Sequence, residues 1–205
     1  CYFSGRHAHN HGVVTNDVFF SHDIPSLGSV LKSRGYNTGY VGKWHLSGQM
    51  YRGRENAPMN NEWYYRRVPN DERFEFERVP GGTGEDAPQH GFDYWVGGWK
   101  HYHEYLRSVG LDDFADMKIG NHNVAPSGGE GGHIYSKVPE EHHMSAFLAG
   151  EAVKFLEQQK GQDAPFGLVL SFYGPHLPVA PPKPWDTMYD LEDVPLPENY
   201  PDGLE

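Results

Sequence analysis

"HDIPSLGSVLKSRGYNTGYVGKWH", residues 22–45, reads as a helix, a turn and a strand in immediate succession. Asp23 is placed to cap a helix, Pro25 suits its first turn, and Leu27, Val30 and Leu31 recur at i, i+3 and i+4 until Gly35 ends the run. A strand over 36–42 follows and carries into Gly-Lys-Trp-His. If strand geometry persists there, Lys43 and His45 share one face while Trp44 packs on the other. Lysine is seldom buried without a partner, and the glycines around it let another group approach the backbone closely, so an anion suits the place. Taken alone, a Lys-x-His pair reads more readily as a strand fraying into solvent, and support for a site has to come from elsewhere in the chain.

A second unit of the same kind lies further on. Met144, Phe147, Leu148, Ala152, Phe155 and Leu156 form an apolar helical face, Gly161 breaks it, and "PFGLVLSFYG" predicts a buried strand over 166–172. Two helix-then-strand units predict a layered α/β fold around a sheet. Between them, over 49–137, periodicity is poor. A structureless loop of that length is unusual inside a domain, so the segment is expected to be an excursion with short elements packed by its own aromatics. Within it, "ERFEFERV" alternates like a strand, "WKHYHEYLRSVG" reads as a helix ended by Gly110, and "APSGGEGGH" is rich in turn residues.

Composition narrows the function classes. The 205 residues include 37% apolar and 14% aromatic residues, with no apolar run long enough to span a bilayer. A formal charge of −11 argues against a non-specific nucleic-acid binder, which needs excess Lys and Arg to neutralise phosphates. An anionic substrate would therefore be met by a local cluster. The single cysteine, Cys1, has no partner for an internal disulfide. The opening at Cys-Tyr-Phe and the ending after "LPENYPDGLE" suggest a segment of a longer protein.

After the second predicted strand comes "SFYGPHLPVAPPKPW", residues 171–185, where Pro175 and Pro178 flank His176 and restrict the backbone around it. By itself this is as easily a proline-rich surface loop. Together, "SGRHAHNHGV" at 4–13, "LKSRGYNTGYVGKWHL" at 31–46 and "LSFYGPHLPVAPP" at 170–182 resemble the sulfatase family of the alkaline-phosphatase-like superfamily, with weaker echoes in "HGFDYW" and "AFLAGEAVKFLEQ". The order and approximate spacing are kept from end to end. The resemblance implies an α/β sandwich with a central, mostly parallel sheet flanked by helices, incomplete at both ends, with 1–205 forming part of one catalytic domain and 49–137 a region that can set specificity. It implies that Lys43 contacts the sulfate group, that His45 is a catalytic histidine beside a formylglycine nucleophile made from Cys or Ser, and that His176 contacts the ester and protonates the leaving alcohol. It further implies a calcium ion, a formylglycine-generating enzyme as maturation partner, a sulfated small molecule or carbohydrate as substrate, and a secreted or periplasmic location.

The sequence also departs from the family. The nucleophile signature, Cys or Ser followed by any residue and Pro-Ser-Arg, is absent, and Cys1 is followed by Tyr-Phe-Ser-Gly-Arg, so Cys1 is not assigned as the formylglycine precursor. Asp17, Asp23 and Asp186 match neither acidic pair of the family, and no metal ligand is assigned. His7, His9 and His11 are read as loop packing rather than a metal site, and His142 and His143 as surface residues at a helix start. Trp99, His101 and His103 are candidates to line a substrate pocket. Two other functions compete with sulfate-ester hydrolysis: a phosphonate monoester or phosphodiester hydrolase on the same scaffold, and a non-catalytic sulfate- or sugar-binding relative.

Overall fold

In a computed structural model of the chain, the described residues are 1–13, 20–46, 90–115, 136–176, 179–190 and 193–197. The predicted strand over 72–79, the glycine-rich stretch 125–133, Asp17 and Pro178 lie outside them. The elements in chain order are α1 (Ala8–His11), α2 (Leu27–Ser33), β1 (Asn37–Gly42), β2 (Tyr94–Gly97), α3 (Gly98–Ser108), α4 (Asp112–Ala115), α5 (Met144–Gln159) and β3 (Phe166–Ser171), with 3-10 turns at Glu140–His142 and Trp185–Thr187.

The expected helix-turn-strand is present, with its cap moved. Ser26, not Asp23, caps α2: its hydroxyl accepts the Ser29 N–H while the Ser29 hydroxyl accepts the Ser26 N–H, and Pro25 stands just outside the helix. The expected apolar stripe is also displaced, since Val30 is 48% exposed and the helix is buried through Gly28. A Cβ at Gly28 would lie 2.7 Å from the His90 carbonyl and 2.8 Å from the Phe92 ring, so α2 docks by backbone contact where a side chain would hold it off. Gly35, at φ 80°, turns the chain into β1, which starts at Asn37.

Among the described residues the sheet is parallel, in the order β2-β1-β3. Gly39 stands opposite both Tyr94 and Leu168, and Gly42 opposite Gly97 and Ser171, so the carboxyl ends of all three strands share one edge. Period-2 alternation sorts the side chains. Tyr40 and Trp95 join Phe20, Ile24, Trp44 and Phe92 on one face, while Val41 joins Tyr102, Leu106, Val138, Met144, Phe147 and Leu148 on the other. The second face is covered by α5, which crosses all three strands, and by α3. Gly39 is required there: a Cβ would lie 2.9 Å from the Phe155 ring. Each large side chain buried this way contributes about 1.5–3 kcal/mol of transfer free energy, which makes these two clusters the main cohesive force.

Three further expectations are corrected. β3 is half-exposed rather than buried, ends at Ser171, and leaves Phe166, Leu170 and Phe172 accessible, because β1 is its sole strand neighbour among the described residues. Leu156 lies at the margin of the α5 face, 43% exposed. β2 was not foreseen as a strand of the central sheet: the stretch 49–137, read as an excursion with short elements, supplies it and the helix α3, which ends before Gly110 as expected.

Candidate active site

The site begins at Gly42. Its φ of 113° belongs to glycine, and a Cβ would fall 1.8 Å from the Ser171 carbonyl oxygen. β3 therefore passes against the bare backbone of β1, and the Lys43 N–H extends the parallel pairing by donating to the same Ser171 carbonyl at 2.9 Å. Strand geometry stops there, which corrects the expectation that Lys43 and His45 share a strand face. His45 adopts a left-handed backbone at φ 54°. The turn is held by the Tyr40 hydroxyl, which donates to the Lys43 carbonyl, and by the Phe20 N–H, which donates to the Leu46 carbonyl at 2.9 Å. Trp44 is driven into the core at 3% exposure.

The turn nevertheless brings Lys43 and His45 together. Both line an open groove of about 570 Å³, with Tyr40, Trp44, Ser171 and Cys1 among its other walls. Cys1 is an exposed thiol in that groove. His176 is not among the groove's lining residues; it stands exposed in the loop that leaves β3 at the same sheet edge. Tyr173 links the two parts. Its carbonyl accepts the His176 N–H at 3.1 Å, its ring lies 5.9 Å from Lys43 Nζ, and Trp99 of α3 packs on it at 5.4 Å. Sequence reasoning passed over Tyr173, although an aromatic just before Gly-Pro-His at a strand end was the available signal.

The other candidates separate. Trp99 and His103 contact each other at 6.0 Å, and Trp99 reaches Tyr173, whereas the His101 ring turns back on Gly97. His7, at the N-cap of α1, stacks on His9 within it, a short helix where a loop was expected. His11 is buried and accepts the Val13 N–H through Nδ1. His142 and His143 are not free surface residues. The His142 carbonyl accepts the Tyr102 hydroxyl, its ring bonds Tyr105 at 2.7 Å, and His143 caps α5 by accepting the Ser145 N–H. Burial lowers the His143 pKa.

Among the described residues no group of three or more His, Cys, Asp or Glu side chains is arranged to hold a metal ion. These residues therefore do not form the oxygen-rich set of six to eight ligands that calcium prefers. What the site offers is the Lys43 ammonium, the imidazoles of His45 and His176, and an open approach at the carboxyl edge of a parallel sheet, where open α/β sheets bind ligands. Also among the described residues, no helix is long and apolar enough to cross a membrane.

The chain is similar to several known proteins. The family model "Sulfatase" matches residues 1–201. The uncharacterized sulfatase YidJ of Escherichia coli K12 is 29% identical over 180 residues, which cover 88% of this chain and 28% of that protein. The multifunctional alkaline phosphatase superfamily protein PehA of Trinickia caryophylli is 37% identical over 62 residues, 30% of this chain and 12% of that protein. Among solved structures, a phosphonate monoester hydrolase from Silicibacter pomeroyi superposes with a TM-score of 0.64 at 21% identity, covering 98% of this chain and 36% of that one, and so shares the fold. The matched stretches span less than a third of the length of these curated relatives.

Proposed function

Because the chain belongs to the sulfatase family, we propose that the whole protein is a sulfuric ester hydrolase, with Lys43 binding the sulfate group and His45 and His176 moving protons. The observation that carries this reading is the shared sheet edge: Lys43 and His45 line one groove, and Tyr173 ties the His176 loop to the Lys43 side chain.

In this reading the Lys43 ammonium faces the sulfuryl oxygens as a compact point charge and stabilises the negative charge that crowds there as the S–O bond breaks. His176 donates a proton to the departing alkoxide oxygen, and His45 accepts one from the group that attacks or releases sulfur. Overall, water supplies an oxygen to sulfur and a proton to the alcohol. The family's nucleophile is a formylglycine, whose signature is not present in the 205 residues, and a formylglycine-generating enzyme would be its maturation partner. The substrate class is a sulfated small molecule or carbohydrate, and a secreted or periplasmic setting suits it.

A second reading, hydrolysis of a phosphonate or phosphate ester by the same groups, is favoured by the 37% identity to PehA over 62 residues. Steady-state turnover of 4-nitrophenyl sulfate and of an aryl phosphonate by the full-length protein separates the two. Higher kcat/KM for the sulfate is expected; preference for the phosphonate would transfer the site to phosphorus chemistry, and turnover of neither would leave a binding protein.

A further inference from the structure

Among the described residues, two buried polar atoms on neighbouring rings have no hydrogen-bond partner: the indole nitrogen Nε1 of Trp44 and the imidazole nitrogen Nε2 of His90. Trp44 is 3% exposed and His90 7%, and their ring centroids lie 5.4 Å apart at an angle of 31°. Buried polar groups are nearly always satisfied, so an adjacent pair of orphans calls for an explanation. The chemistry of the pair is complementary. An indole N–H can only donate, and an imidazole whose other nitrogen is engaged by the Phe20 backbone presents Nε2 as an acceptor.

We propose that one buried water, accepting from Trp44 Nε1 and donating to His90 Nε2, joins the two rings, and that His90 is thereby a positioning residue for Lys43 and His45. The inference deepens the proposed hydrolysis and rests on it for its kinetic part. A water with a buried donor and a buried acceptor as partners is the kind that is retained.

His90 is built as a fixed point. Its backbone is held at φ 50°, its carbonyl accepts the buried Ser26 hydroxyl at 2.6 Å, and the bare backbone of Gly28 lies against that carbonyl. Its ring is stacked between His22 at 4.3 Å and Phe20 at 4.5 Å. Phe20 in turn holds Leu46 through its backbone N–H. Beyond Lys43 the chain no longer pairs with β3, so its course depends on these holds: Tyr40 on the Lys43 carbonyl, Phe20 on Leu46, and His90 on the Trp44 ring between them. A loosened Trp44 would move both neighbours, because Lys43 and His45 are its adjacent residues.

The test is a double-mutant cycle in the full-length protein, with His90→Phe keeping the ring stack but removing the acceptor, Trp44→Phe removing the donor, and His90→Gln restoring an acceptor. Thermal midpoints and kcat/KM for 4-nitrophenyl sulfate are both read. In the thermal cycle, the double variant is expected to melt well above the sum of the two single losses. In the kinetic one, His90→Phe is expected to lower kcat/KM about tenfold, with His90→Gln regaining most of it. Additive thermal losses would overturn the water link. A thermal loss in His90→Phe with kcat/KM within twofold of wild type would overturn the positioning role. Should the wild-type protein turn over no ester, the proposed hydrolysis fails, and the thermal cycle still decides the water link.

Discussion

Lys43 and His176 are held in different ways, and the difference bears on their roles. The Lys43 backbone is bonded on both sides, by Ser171 and by Tyr40, while its ammonium reaches over Tyr173. His176 is exposed on a loop tied back to Tyr173 by one backbone bond. The proposed sulfate-binding charge benefits from the first arrangement, and the proposed proton donor, which would meet varied alcohols, from the second. His176→Ala in the full-length protein is therefore expected to lower kcat/KM for an alkyl sulfate by about 10²- to 10⁴-fold, with a much smaller loss for 4-nitrophenyl sulfate, whose phenolate leaves without a proton. Equal losses on both esters would remove the leaving-group role. At this scale the sequence was informative for an imperfect reason. Lys43 and His45 were singled out by strand periodicity, yet they meet through a left-handed turn at His45 that periodicity cannot show.

β1 is the element on which the site depends, and Gly42 is its critical position. Its φ of 113° and the approach of the Ser171 carbonyl leave no room for a Cβ, whereas Gly35, at φ 80°, has nothing within 4 Å of one. Gly42→Ala is expected to destabilise the protein by at least about 3 kcal/mol, strain and overpacking adding together, and Gly35→Ala by about 1 kcal/mol. Denaturant unfolding of both variants checks this, and similar costs would mean that β3 does not press on β1 there. The helices α3 and α5 were legible because their patterns span three turns or more, and the seven-residue α2 was legible as a helix although its cap and its buried face were not. β2 was not. Tyr-Trp-Val-Gly is a four-residue strand covered on both faces, so it lacks polar-apolar alternation, and α3 begins at the next residue without a separating turn. The half-exposure of β3 was equally hidden, because Phe-Gly-Leu-Val-Leu has the composition of a strand buried on both sides.

For the whole molecule, burial of histidines couples stability to pH. The His90 pKa is pushed down from 6.5 to about 4, first by burial and then by the neighbouring His22, and burial lowers His143 in the same direction. The folded state then binds fewer protons than the unfolded chain across this window. The stabilisation is complete above pH 6.5, where both states carry neutral His90, and is lost as pH falls from 6.5 toward 4. The melting temperature of the full-length protein is expected to fall between pH 7 and 5, and to fall less in His90→Phe; identical slopes would separate His90 from the acid response. The proposed chemistry rests on the sheet edge itself, where Lys43 is proposed to supply the charge against which a sulfate ester is cleaved. It is tested most directly by kcat/KM for 4-nitrophenyl sulfate in the full-length protein and in Lys43→Ala, whose backbone bonds to Ser171 and Tyr40 are retained. A loss of at least about 100-fold with an unchanged melting temperature is expected, and activity within twofold of wild type would contradict the assignment.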